Sequence, residues 1–273
     1  MNYMLINNQW QSTETVMKTA NTLLTIYEVV RVEKGIALFL ENHYARMQTS
    51  FASAKYSQHL PTWNDWQSSI YLLIDKNRRS EGNIRFDFHK RSTTEHQTAF
   101  SFINHHYPTK QEYAKGYEVG LLMGERENPH AKIANQEVRF RANGHIEQEK
   151  LDEVLLVNHN QLITEGSKTN FFAIRNNILF TAPDELVLGG IMRQHVLKLA
   201  GEIKIEVVKQ CIMLNELTSI ETAFVTGTSP RIMPISKLNN AFLNTNHSFI
   251  EKLTHALNQS INRYISERTN AFH

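Results

Sequence analysis

Four short segments of this 273-residue chain carry residue types that could do chemistry. Lys132 lies in NPHAKIAN between Ala131 and Ile133. A loop lysine is ordinarily solvated, but an apolar setting disfavours the ammonium and favours Schiff-base chemistry. Glu165, in QLITEG at a strand end with Asn170 five residues on, is either a surface or capping residue or a buried carboxylate. In the second case it could hold a protonated ring nitrogen by a charge-assisted hydrogen bond. In LGGIMR, Leu188 to Arg193, two glycines precede a helix pattern. That reads as a turn and helix start, or as an anion site in which free N–H groups and the helix dipole favour a phosphate. TGTS, Thr226 to Ser229, is a strand-to-turn segment whose amides and hydroxyls could contact the same phosphate.

The elements that must position these groups follow from periodicity. Residues 3–10 read as a short strand with an Asn7-Asn8 turn, and residues 26–32 (IYEVVRV) as a strand rich in β-branched residues. Leu40, Tyr44, Met47, Phe51 and Ala54 recur at helical spacing over 40–56, and a second helix is predicted over 63–77. Strands are expected at 83–89, 99–103 and 117–123, and a helix over 136–145. EVLLVN, QLITEG, FFAIR and ILFTA read as an antiparallel meander, with Asn176-Asn177 as its last turn. A helix over 191–200 stops at Gly201, a strand covers 223–226 with a turn at 227–230, and an amphipathic helix runs from 249 to about 265. The stretch 104–116 (NHHYPTKQEYAKG) loses apolar periodicity and is the expected boundary. The class is α+β, with an N-terminal domain over 1–104, a linker over 105–116 and a C-terminal domain over 117–273 carrying Lys132.

Composition excludes several classes. With 41% hydrophobic and 21% charged residues, 11 Gly and 6 Pro, the chain is that of a folded globular protein. A net charge of +2, with only isolated basic pairs at Arg78-Arg79 and Lys90-Arg91, gives no nucleic-acid bias. Cys211 is the single cysteine and is expected to pack in a buried strand, so no intrachain disulfide is possible. The 13 histidines form no HExxH pattern, there is no paired-cysteine motif, and no metal site is expected. No secretion signal or membrane span is read, which points to the cytoplasm.

In order and spacing these segments resemble the fold-type IV pyridoxal-phosphate enzymes: branched-chain and D-amino-acid aminotransferases and aminodeoxychorismate lyases. EVLLVNHNQLITEGSKTNFFAIRNNILFTAP is similar to that family's meander, LVLGGIMRQHVLKLA to its phosphate-binding helix start and ELTSIETAFVTGTSPRIMPIS to its second phosphate segment. ENHYARM resembles its HxxR helix. Glu165 follows Lys132 by 33 residues, about the family's spacing between Schiff-base lysine and pyridinium-binding glutamate.

The resemblance implies a two-domain fold with its active site between the domains, a homodimer, and pyridoxal 5'-phosphate as cofactor. It makes Lys132 the catalytic lysine. It makes Arg46, Glu165, Gly190, Ile191, Met192, Gly227 and Thr228 cofactor contacts, and Tyr27 and Arg85 substrate contacts. His43, on the helix of Arg46, is expected to pack or hydrogen-bond locally. The implied activity is transamination of an amino acid with a 2-oxo acid, with Arg85, Lys90 or Arg91 contributing to a carboxylate clamp, or elimination of pyruvate from aminodeoxychorismate. The alternative is a catalytically silent binding or structural member of the fold. Three departures bear on that choice. No glycine turn precedes Tyr27, Met192 replaces a usual threonine, and no tyrosine follows Lys132, which leaves Asn135 or Arg139 as substitutes.

Overall fold

The computed structural model describes residues 2–13, 22–92, 94–134 and 137–271. Backbone contacts divide the chain into two compact units, the first made of 1–106, 130–135 and 261–273, the second of 107–129 and 136–260. This grouping differs from the boundaries expected above in placing the Lys132 segment with the first unit. The cause is local pairing. Ile133 forms a β-bridge with Ile26, Tyr27 N donates to Lys132 O, and Ala134 N donates to Thr25 O.

The first unit is built on a sheet of β1 (Tyr3–Ile6), β2 (Gln9–Ser12), β3 (Leu24–Glu33), β4 (Ile36–Ala37), β5 (Gly82–Lys90) and β6 (His96–Ile103). Its order is β2-β1-β6-β5-β3-β4, with every pairing antiparallel. Asn7 and Asn8 both adopt positive φ and form the expected turn, which joins β1 and β2 as a hairpin. Alternation along the strands sends Ile26, Val30, Ile84, Phe86 and Phe88 to one face. There they form a core with Met47 and Phe51 of α1 (Leu40–Ser53) and Trp66, Ile70 and Leu73 of α2 (Trp63–Asn77). Helix α2 starts where it does because Asp65 N donates to Thr62 Oγ1 at 3.2 Å, the N-cap bond that a threonine before an apolar repeat supplies.

The second unit opens with α3 (Lys110–Lys115), inside the stretch expected as linker. A capping box made by Thr109 and Glu112 nucleates it, which apolar periodicity alone does not reveal. Then come β7 (Tyr117–Met123), α4 (Glu137–Glu149), β8 (Glu153–Val157), β9 (Leu162–Gly166), β10 (Asn170–Arg175), β11 (Ile178–Thr181), α5 (Ile191–Glu202), β12 (Val207–Lys209), β13 (Ile212–Met213), β14 (Thr222–Gly227), β15 (Arg231–Leu238), β16 (Ala241–Phe242) and α6 (Ser248–Ala271), whose residues from 261 on group with the first unit. The strands run β12-β11-β10-β14-β15-β7-β8-β9-β13, with β16 on β15. One further pairing, Glu165 with Asn170, closes β9 onto β10 and makes a six-stranded circuit. Val119, Leu155, Phe171, Val225, Met233 and Ile235 belong to its core.

Two sequence boundaries shift. Helix α5 runs through Gly201 to Glu202, and Cys211 lies buried between β12 and β13 rather than inside a strand. Among the described residues no helix is long and apolar enough to cross a membrane.

Candidate active site

In the first unit the chemistry gathers around β3. Registry places Thr25 opposite His89, Tyr27 opposite Asp87 and Val29 opposite Arg85, so these side chains share the sheet face away from the α1–α2 core. Lys132 Nζ lies 4.7 Å from the Tyr27 ring centre and the Arg85 guanidinium 4.4 Å from it. An aromatic face favours a cation there, so the lysine's setting is aromatic rather than simply apolar. The backbone of Lys132 is tied to α1 as well, through its N–H to Ser50 Oγ at 3.1 Å.

The opposite face of β3 carries Glu28, fully buried under α1. Arg46 Nε donates to Glu28 Oε1 at 2.9 Å and Arg46 Nη2 to Oε2 at 2.6 Å. His43 Nδ1 lies 2.8 Å from Oε2, and because a carboxylate only accepts, this nitrogen carries the proton. Burial by itself would raise the Glu28 carboxyl; the Arg46 charge and the bonds from His43 and Arg46 outweigh it and hold it down at about 2. His43 is lowered from its ordinary value, first by burial. The local hydrogen bond expected of His43 is therefore made, with a partner sequence did not reveal.

Of the three cations weighed for a carboxylate clamp, only Arg85 shares the ring with Lys132. Lys90 falls on the alternate face of β5 with Nζ 5.3 Å from the Tyr56 ring, and Arg91 donates to Gln97 Oε1 at 2.7 Å. Arg85 is held by Asp87, whose carboxylate it meets at 2.7 and 2.8 Å.

In the second unit three strands bring the predicted groups into one row. Glu165 on β9 pairs with Asn170 on β10, and Asn170 with Thr226 on β14. Glu165 is buried; its Oε1 accepts from Arg126 Nε at 2.6 Å and its Oε2 from Leu188 N at 3.2 Å and Asn170 Nδ2 at 3.3 Å. Asn170 Nδ2 also donates to Leu188 O at 2.9 Å, which ties the row to the turn before α5. A β-carbon at Gly190 would overlap Asn170 Oδ1, so the close approach requires glycine here. Gly190 is the N-cap of α5 and has no side chain to cap it. No side chain caps the first turn of α5, where the N–H groups of Ile191 and Met192 lie, and such an uncapped helix start is of the kind that suits an anion. Thr226 Oγ1 is buried without a hydrogen-bond partner. Gly227 ends β14, and Thr228 lies in the turn that follows.

Sequence reasoning missed Arg126 and Glu153. Glu153 on β8 accepts from Ser167 Oγ at 2.6 Å, Thr169 Oγ1 at 2.9 Å and Ser167 N at 3.2 Å, and so fixes the turn that joins Glu165 to Asn170. Of the two substitutes for a tyrosine, Arg139 donates to Ser167 O at 3.4 Å, while Asn135 lies outside the described residues.

Solved structures share this fold. A protein from Legionella pneumophila assigned as a 4-amino-4-deoxychorismate lyase superposes with a TM-score of 0.80 at 22% identity, over 90% of this chain and 96% of that one. The branched-chain amino acid aminotransferase of Escherichia coli does so with a TM-score of 0.82 at 18% identity, over 95% and 94%. The architecture is therefore that of the fold-type IV enzymes.

Sequence comparison carries the assignment further. The family described as Amino-transferase class IV matches residues 25–238, and the chain belongs to that family of pyridoxal-phosphate-dependent transaminases and lyases. A D-alanine aminotransferase from Bacillus licheniformis is 24% identical over 230 residues, 78% of each chain. A protein of Methanocaldococcus jannaschii assigned as a branched-chain-amino-acid aminotransferase is 35% identical over 95 residues, 34% of this chain and 33% of that protein.

Proposed function

We propose that the chain binds pyridoxal 5'-phosphate through Lys132 and transfers an amino group between an amino acid and a 2-oxo acid. The observation that carries the reading is the Glu165 row. A buried carboxylate, paired with Arg126, stands beside Asn170 and so beside the uncapped start of α5 and the unpartnered hydroxyl of Thr226. That donor set fits the group: an acceptor suits a protonated ring nitrogen, and free N–H and O–H groups suit a phosphate.

In this reading Ile191 and Met192 N–H, Gly190, Gly227 and Thr228 hold the phosphate, and Glu165 keeps a proton at the ring nitrogen. When bound, the cofactor supplies an electron sink for the carbon that bears the amino group. Lys132 Nζ would take the proton from that carbon as base and, as acid, deliver it to the cofactor's C4′, the shift that amino transfer requires. The Tyr27 ring walls the substrate, and Arg85 receives its carboxylate.

A second reaction uses the same residues: elimination of pyruvate from aminodeoxychorismate, in which Lys132 moves protons without net amino exchange. Its support is the fold shared with the Legionella protein. The test is an assay of the purified chain with pyridoxal phosphate, with D- and with L-amino acids plus 2-oxoglutarate, and separately with aminodeoxychorismate. Glutamate formation supports the transaminase and aminobenzoate with pyruvate the lyase. Neither product, together with a colourless protein, would leave the silent member of the fold.

A further inference from the structure

Arg85 and Asp87 are two residues apart on β5, on one face of the strand and beside Tyr27. A guanidinium offers two edges to a carboxylate, one formed by Nε and Nη2 and one by the two Nη groups. Asp87 takes the first. Its oxygens lie 2.8 Å from Nε, and Oδ1 lies 2.7 Å from Nη2. Asp87 is itself buried, with 3% exposure, whereas the Arg85 side chain is 31% exposed. The grip is therefore rigid at its base and open at its tip. Among the described residues Arg85 donates through Nε and Nη2 to Asp87 and Nη1 has no acceptor, which leaves the second edge available on a partly exposed guanidinium beside the Tyr27 ring. Lys132 Nζ sits on the same ring, within about 9 Å of the guanidinium carbon.

An arginine with five donors and a flexible stem loses considerable rotamer freedom when it binds an anion; one already held by a buried acid has lost it in advance. We propose that Asp87 is a positioning residue: it clamps the inner edge of Arg85 so that the outer edge is a preformed receptor for a substrate carboxylate beside Lys132. The inference rests on the transaminase or lyase reading for what the carboxylate belongs to. Arg85 alone would be a mobile surface cation. With Asp87 it selects acids over their uncharged analogues, and because the grip persists throughout the reaction it acts on KM more than on kcat.

The test uses the cofactor-loaded full chain and the variants Asp87→Ala, Asp87→Asn, Arg85→Ala and the double alanine variant. Two ligands are compared, isovalerate and its neutral counterpart isovaleramide, as competitive inhibitors and, by calorimetry, as ligands. Wild type is expected to prefer the acid, and Asp87→Ala to lose on the order of tenfold of that preference, with KM for the amino acid raised by a similar factor and kcat within about twofold. Asp87→Asn, which keeps one acceptor oxygen, falls between. In the Arg85→Ala background the Asp87 change has no further effect. An acid preference unchanged in both Asp87 variants, equal weakening of acid and amide, or an Asp87 effect that persists without Arg85 would each overturn the proposal. A wild-type chain without turnover would overturn the proposed reaction, while the calorimetric acid–amide comparison would still decide the role of Asp87.

Discussion

Replacing Glu28 by glutamine removes the charge that Arg46 and His43 converge on beneath α1. The carboxyl is held at about 2 against an ordinary 4.5, and the group is fully buried. At 1.36 kcal/mol per unit, that depression corresponds to about 3 kcal/mol of stability at neutral pH. The same figure lies at the low end of the ~3–5 kcal/mol that breaking a buried ion pair costs, because Glu28→Gln leaves the Arg46 guanidinium facing a neutral amide. In a chain of this size the midpoint of thermal unfolding should fall by roughly 8 °C.

The pH dependence is set by the same group. Because the folded value lies below the unfolded one, the contribution is complete above about 4.5 and is lost as pH falls toward about 2. By pH 3.5 roughly 1 kcal/mol of it is gone. Urea unfolding of wild type and Glu28→Gln at pH 7 and pH 3.5 reads both quantities. A gap below about 0.5 kcal/mol at pH 7, or one that does not narrow at pH 3.5, would refute the assignment of Glu28 as the ionised centre of this cluster.

Other consequences are smaller in scope. His43 is buried and its imidazolium is disfavoured, so wild type should lose stability as pH drops below about 6.5, and His43→Gln should flatten that part of the profile. Gly190→Ala drives a methyl group against Asn170 and should cost about 1–3 kcal/mol and weaken pyridoxal-phosphate binding, read by titrating the visible absorbance; unchanged affinity would remove this turn from the phosphate site. The Cys211 thiol is pushed up to about 11 by burial, so an aromatic disulfide reagent at pH 7.5 should not label it until denaturant is added.

Much of the scaffold could be read from local signals. Helix α2 was expected over 63–77 and has those bounds, since its apolar repeat and threonine cap act within one element. Asn176-Asn177 forms the expected turn, both residues at positive φ where asparagine is tolerated. The groups around the site were less legible because their partners are distant in sequence and set by strand register. Arg126 reaches Glu165 across 39 positions, and Glu28 meets Arg46 only once α1 packs over β3. Asp87 did have a signal, opposite charges two apart in a strand, which places both on one face. Helix α3 had one too, the Thr109 to Glu112 capping pattern, masked by the loss of apolar period around it.

The central claim is that Lys132 is the amine that carries the cofactor. Reducing the pyridoxal-phosphate-loaded protein with borohydride and mapping the modified peptide by mass spectrometry tests it directly. The expected result is a single pyridoxyl adduct on Lys132, absent from Lys132→Ala. An adduct on another lysine, or none on a protein that turns over substrate, would contradict it.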